Sequence, residues 1–203
     1  MTARHPNTQP ANRPSALPAL GDLTWSGALE TPDLLAEPVL AALRAWADAE
    51  PDVAASVAVT EIDPDHADTE TLNELHGLPP QVSGNCVVVA GRRGDDERVA
   101  GVVVPASTFA DVNKRVRKLL DVRKASFMPQ DRAVADSGME YGGITPVGLP
   151  AGWRVLVDSR FAEPGTLALL GSGVRRSKLL MPGPLLCAAP GVEVIEDLGV
   201  ARS

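Results

Sequence analysis

Two valine-rich runs, residues 85–90 and 98–104, stand either side of Arg92-Arg93-Gly94-Asp95-Asp96. β-Branched side chains lose rotamer freedom in a helix and pack well on a pleated surface. A short charged break containing glycine suits the turn between paired strands. The two runs therefore predict a β-hairpin, and no other feature limits the fold as tightly. Aromatic residues make up only 3% of the 203, so the core around that hairpin must be built from Val, Leu, Ile and Ala.

The flanking sequence alternates between helical and extended patterns. A helix is expected from about Pro38, a residue suited to a first turn, with Val39, Leu43 and Trp46 on its buried face. Residues 53–62 read as a β-branched strand. Asp68 can cap a short helix Thr69–His76, which Gly77 and Pro79 end. After the hairpin, Ser107 or Thr108 is expected to cap a helix running to about Leu120. Phe109, Val112, Val116, Leu119 and Leu120 would face inward, with Lys114, Arg115, Arg117 and Lys118 outward. A further helix is expected over Gln130–Ser137, with Gly138 beyond its end. Strands then come at residues 153–157, 166–170, 177–181 and 192–195. Strands interleaved with helices give an α/β or α+β domain with a mixed sheet.

Residues 1–21 carry Pro6, Pro10, Pro14 and Pro18 among Asn, Gln, Thr and Ala, and read as a disordered leader. Residues 22–203 are left as a single folded domain. No run is apolar and long enough to span a bilayer, and residues 1–21 lack the apolar centre of a secretory signal. Cys86 and Cys187, the two cysteines, give no disulfide framework, so the expected compartment is a reducing cytoplasm. A net charge of −7 argues against indiscriminate nucleic-acid binding. Yet Lys114, Arg115, Arg117, Lys118, Arg123 and Lys124 cluster against only Asp111 and Asp121. Such a patch on an acidic chain suits a defined phosphate contact or, equally, a solvated helix face.

The stretch Met139-Glu140-Tyr141-Gly142-Gly143-Ile144-Thr145-Pro146-Val147-Gly148 forms neither good helix nor good strand. Glycine admits φ > 0 and close approach to the main chain, and Pro146 stiffens the backbone on either side of it. The expectation is a rigid loop with bare N–H groups near Gly142 and Gly143; taken alone, it reads more readily as a plain connecting turn. Other chemistry is weaker. His76 and Cys86 would make a thiol–imidazole pair, but Cys86 lies among valines and reads as a buried structural thiol. Asp63, Asp65, His66 and Asp68 lack the pattern of a calcium loop, and acidic residues before a helix need no metal. Gly171-Ser172-Gly173 is not a nucleotide P-loop, because the Gly-Lys-Ser/Thr ending is missing.

From about Leu34 to Leu198 the chain resembles the YbaK/ProX aminoacyl-tRNA editing domain. The resemblance rests on five segments in order: Leu72-Asn73-Glu74-Leu75-His76-Gly77-Leu78-Pro79, Asn85-Cys86-Val87-Val88-Val89, Gly142-Gly143-Ile144-Thr145-Pro146, Val155-Leu156-Val157-Asp158 and Gly171-Ser172-Gly173-Val174-Arg175-Arg176. It implies a curved mixed sheet of six or seven strands with helices around it. It also implies a pocket for the 3′ aminoacyl end of tRNA and hydrolysis of the aminoacyl ester without a cofactor, with a synthetase as a conceivable partner. On that reading Gly142 and Gly143 hold the oxyanion, with Asn85 beside them. Ile144, Thr145, Pro146, Asp158, Gly171, Ser172, Gly173 and Arg175 contact substrate, and Lys114, Arg115, Lys118 and Arg176 contact the tRNA backbone.

One departure stands out. Typical members carry a lysine before the first central strand, where this chain has Asn85. Asparagine donates and accepts hydrogen bonds but brings no charge; Arg175, Arg176 or Lys178 are candidates to restore it. The pattern favours a trans-acting deacylase of mischarged tRNA, because the main-chain loop that would carry the chemistry is intact; the alternative is a module that binds the tRNA end without hydrolysing it. A pocket protein for another small ligand is a third.

Overall fold

The computed structural model describes residues 17–201. The chain opens with a two-residue strand β1 (Ser26–Gly27), then α1 (Glu37–Ala49), α2 (Asp52–Ser56), β2 (Ala58–Glu61) and α3 (Thr69–His76). The central hairpin is β3 (Gly84–Arg93) and β4 (Asp96–Pro105), followed by β5 (Thr108–Ala110), a π-helical turn at residues 112–116, α4 (Arg117–Leu119), β6 (Lys124–Phe127) and α5 (Gln130–Ser137). The last part comprises β7 (Arg154–Asp158), β8 (Leu167–Gly171), β9 (Ser177–Pro182), α6 (Gly183–Ala188), β10 (Val192–Ile195) and β11 (Gly199–Ala201).

The expected mixed α/β architecture is the one observed. Its strands lie in a five-stranded sheet of order β10-β7-β4-β3-β6, a four-stranded sheet β1-β2-β9-β8 and a two-stranded pair β11-β5. β7 runs parallel to β4 and β10, and the remaining neighbours are antiparallel. Ser83, just before β3, makes a parallel bridge with Leu169 of β8, so the two larger sheets meet there. The hairpin holds its register over ten pairs, from Gly84–Pro105 to Arg93–Asp96, and turns on Gly94-Asp95.

The core follows strand alternation. Val89, Ala100, Val102 and Val104 pack with Val112, Val116 and Leu120. Val103, Val155 and Val157 face α1, whose Val39, Leu43 and Trp46 are buried as expected. A third cluster joins Leu72 and Leu78, at and beyond α3, to Ala58, Leu169 and Leu180 of the four-stranded sheet.

Three expectations need correction. The strand expected at 53–62 begins only at Ala58, because Asp52–Ser56 is helix α2. There a lone valine packs beside two alanines, and alanine is the stronger helix former. The helix expected from Ser107 or Thr108 begins at Val112 and is capped by Asp111, whose carboxylate accepts from Lys114 N–H at 3.1 Å. Thr108–Ala110 instead pairs with β11, so Phe109 points outward at 47% exposure. Its helical spacing from Val112 was coincidental, since the partner strand lies some ninety residues away. Strands β1, β6 and β11 and helix α6 had no clear local signal. Residues 1–16 of the expected leader lie outside the described residues. Beyond them, Leu20, Leu23 and Trp25 pack on the third cluster, and Trp25 Nε1–H donates to the Leu20 carbonyl at 2.9 Å.

Candidate functional site

The glycine loop and the Gly171-Ser172-Gly173 turn, far apart in sequence, interlock main chain to main chain. Gly173 N–H donates to Gly143 O at 2.8 Å, Glu140 N–H donates to Gly173 O at 2.8 Å, and Arg175 N–H donates to the Glu140 carboxylate at 2.6 Å. A Cβ at Gly143 would lie 2.7 Å from the Val174 backbone, so only glycine permits this approach. Gly142 has φ +81°, and a Cβ there would meet Arg175 Nη1 at 2.6 Å. The loop is thus a braced element and not a free turn.

The braced loop forms one wall of a cleft of about 530 Å³, within the range of small-molecule sites. The start of β3 (Gly84 to Val88), the N-terminal end of α3 (Asp68, Thr69), Met128, Ala133, Gly171 and Lys178 line the same cleft, together with the aromatic residues Phe127 and Tyr141. Both rings are exposed, at 59% and 58%. Thr69 Oγ1–H donates to Asn85 Oδ1 at 2.8 Å. This contact commits the amide oxygen of Asn85 and leaves its NH₂ group as the donor available to the cleft.

Among the described residues, Lys178 is the one Lys or Arg that lines the cleft. It lies on β9, which is flanked by strands on both sides, and is 6% exposed. Its ammonium donates to the Ala67 carbonyl at 2.9 Å. Burial, with repulsion from Arg175, brings its pKa down to about 8, against a smaller opposing pull from Asp68. Cys86 also lines the cleft, but burial pushes its thiol up to about 12, so it stays protonated and is no nucleophile at neutral pH. His76 pairs with Asp22 at 2.6 Å and does not line the cleft.

Of the expected site residues, the cleft brings together Asn85, Gly142, Ile144 and Gly171, with Arg175 behind Gly142. Gly143 contributes no bare amide, because its N–H closes a turn onto Glu140 O at 2.9 Å. Among the described residues, the N–H groups of Gly142 and Ile144 make no hydrogen bond. Thr145 is fully buried, and Pro146 lines a separate cleft against α1 and α6. Ser172 is buried and bonds Ser177, and Gly173 packs on Ala36 and Val39.

Asp158 is not a pocket residue. Its fully buried carboxylate accepts from Arg160 N–H at 3.0 Å, Arg160 Nη1 at 2.9 Å and Gly199 N–H at 2.7 Å. It therefore caps the turn after β7 and anchors β11, because the strand ends where two chain segments need an acceptor. Arg176 is engaged outside the cleft by Glu61 at 3.0 Å. Lys114, Arg115 and Lys118 are exposed as expected, on a segment packed against the sheet face formed by Val89 and Val102; none lines the cleft. Among the described residues no three His, Cys, Asp or Glu side chains converge as a metal site; Asp63 and Asp68 instead cap the turns that follow them. Sequence reasoning did not single out Thr69, Phe127 or Tyr141 for the cleft. Lys178 carried a signal, as a lone charge in the apolar strand Ser177-Lys178-Leu179-Leu180-Met181.

The aminoacyl-tRNA editing domain family matches residues 63–186, more than half of the chain and the whole lining of the cleft. No curated protein matches the sequence. Among solved structures, the hypothetical protein APE2540 superposes with a TM-score of 0.65 at 18% identity, covering 78% of this chain and 99% of that one. A proposed trans-editing enzyme for prolyl tRNA synthetase superposes with a TM-score of 0.64 at 16% identity, covering 83% and 97%. At these identities the likeness concerns the fold.

Proposed function

The chain belongs to the aminoacyl-tRNA editing domain family, and on that premise we propose that it is a trans-acting deacylase hydrolysing the ester of mischarged tRNA. The observation that carries this reading is the cleft itself. Among the described residues, donors without protein partners, on Asn85 and on the Gly142 and Ile144 main chain, line a space of about 530 Å³ in which no activated nucleophile is found. An aminoacyl ester is reactive enough that positioned water and a held oxyanion suffice. Water adds to the ester carbonyl carbon, the oxyanion is held by the donors, and collapse releases the ribose oxygen, with the substrate's neighbouring hydroxyl available to pass the proton. The fold shared with the proposed trans-editing enzyme for prolyl tRNA synthetase is consistent with action on tRNA charged by a separate synthetase. Phe127 and Tyr141 offer stacking surfaces for the terminal base, and Lys114, Arg115 and Lys118 offer phosphate contacts.

A deacylation screen over correctly and incorrectly charged tRNAs tests the reading, with Gly142→Ala and Asn85→Lys alongside the wild type. Turnover of at least one mischarged species is expected, reduced on the order of a hundred- to a thousand-fold in Gly142→Ala. No turnover with tRNA binding retained would instead identify a binding module, the reading that Asn85 in place of the family lysine favours.

A further inference from the structure

A lysine in an apolar strand is nearly always arranged to keep its charge in water or paired. Lys178 is 6% exposed, and among the described residues it has no ion-pair partner. It shares a face of β9 with Leu180, and that face is covered by the cluster of Leu72, Leu78 and Ala67. The cover ends at Ala67, whose carbonyl takes one hydrogen bond from the ammonium. An ammonium has three donors, and among the described residues no carboxylate bridges it and no second acceptor reaches it. The remaining two donors belong to a side chain that is 6% exposed yet lines the cleft. Packing alone gives no reason to bury a charge held by a single neutral acceptor at the edge of a cleft.

We propose that Lys178 is a catalytic residue, its ammonium donating to the carbonyl oxygen of the bound aminoacyl ester and stabilising the oxyanion formed when water adds. This deepens the deacylase reading and rests on it. As the water oxygen bonds to the carbonyl carbon, the π pair moves onto the carbonyl oxygen facing Lys178. Collapse re-forms C=O and breaks the bond to the ribose oxygen, which takes the proton lost by water. Lys178 stays protonated throughout, so the products are the free amino acid and the tRNA hydroxyl. The Asn85 amide, fixed by Thr69, lines the same cleft and supplies a neutral second donor. The charge that the start of β3 lacks is thus delivered from β9, where Lys178 pairs in register with Gly171 and Thr60.

The ionisable groups around Lys178 are Asp68 before α3, Cys86 on β3, Tyr141 on the glycine loop and Arg175 beyond β8. Only the protonated lysine is competent, so its contribution falls as pH rises through about 8. The test uses the full chain and a mischarged tRNA that it deacylates. Lys178→Met should lower kcat on the order of a hundred- to a thousand-fold at pH 7 while affinity for uncharged tRNA stays within about twofold. The wild-type rate, corrected for uncatalysed hydrolysis, should fall between about pH 7 and 9.5, and the residual rate of the variant should lack that fall. Comparing the two removes the titration of the substrate's own amino group. If Lys178→Met does not fold, Lys178→Gln takes its place. Turnover within about threefold of wild type, or identical pH profiles, overturns the assignment. If the wild type hydrolyses nothing, the deacylase reading fails on its own. Amide-linked aminoacyl-adenosines then decide the role of Lys178: binding about tenfold weaker in the variant at pH 7 sustains it as a substrate contact, and equal or absent binding overturns it.

Discussion

Removing the charge of Lys178 should change how stability depends on pH, whatever the substrate is. In the unfolded chain this lysine titrates near the ordinary 10.5, and in the folded protein near 8. Below pH 8 both states are protonated, and the folded state bears the full cost of a desolvated ammonium. Above 10.5 both are neutral, and the cost is gone. Between these limits the unfolded chain binds more protons, so unfolding free energy rises with pH. The gap corresponds to about 3 kcal/mol. Lys178→Met keeps the length of the side chain and removes the charge. It also strands the Ala67 carbonyl, at a cost of about 1–3 kcal/mol. At pH 7 the variant should therefore match the wild type or exceed it by up to about 2 kcal/mol, and its advantage should shrink by about 3 kcal/mol by pH 10.5. Urea unfolding followed by tryptophan fluorescence at several pH values measures both curves, and their difference cancels every other titrating group. A difference that does not change with pH would refute the claim that Lys178 is buried as a poorly compensated charge.

Gly142→Ala forces a side chain into φ +81° and onto Arg175, so a loss of about 1–2 kcal/mol is expected by denaturant titration, with a far larger proportional loss of deacylation. Asp158→Asn leaves the Arg160 and Gly199 donors poorly matched. It should cost about 3 kcal/mol while kcat of the protein that remains folded is unchanged, because the carboxylate does not line the cleft. Tyr141→Ala and Phe127→Ala, at exposed positions, should each raise KM about tenfold by removing a stacking surface for the base without lowering Tm. Replacing Lys114, Arg115 and Lys118 by alanine should reduce the salt dependence of tRNA binding by about one logarithmic unit of slope for each phosphate no longer neutralised; an unchanged slope would place the tRNA backbone elsewhere.

The parts of this protein that were legible in the chain are those whose signal is local. The hairpin of β3 and β4 shows in its valines, α1 in the spacing of Val39, Leu43 and Trp46, and α3 in the Asp68 cap and Gly77 stop. The parts that misled have partners far away. Thr108–Ala110 carries helical spacing but is claimed by β11, and pairing across that separation leaves no periodic trace. Asp158 looked like a site residue because it ends a strand, yet its carboxylate caps the local turn at Arg160 and, across the fold, accepts from Gly199 N–H.

The glycine loop divides in the same way. Its composition required a tight, bare main chain, and in the structure Gly142 and Ile144 line the cleft. Which amides stay open was decided by packing against the Gly171–Gly173 turn: Gly143 was consumed, while Gly142 and Ile144 were left at the cleft. For the cation the division is sharper. Residue identities alone establish that the family's lysine position holds Asn85 and that a lone lysine lies in strand β9. That the two share one cleft is a consequence of folding. Burial, and the meeting of residues from two sheets at one cleft, are properties of segments brought together, and no local pattern at Lys178 records that the Ala67 carbonyl comes to its ammonium.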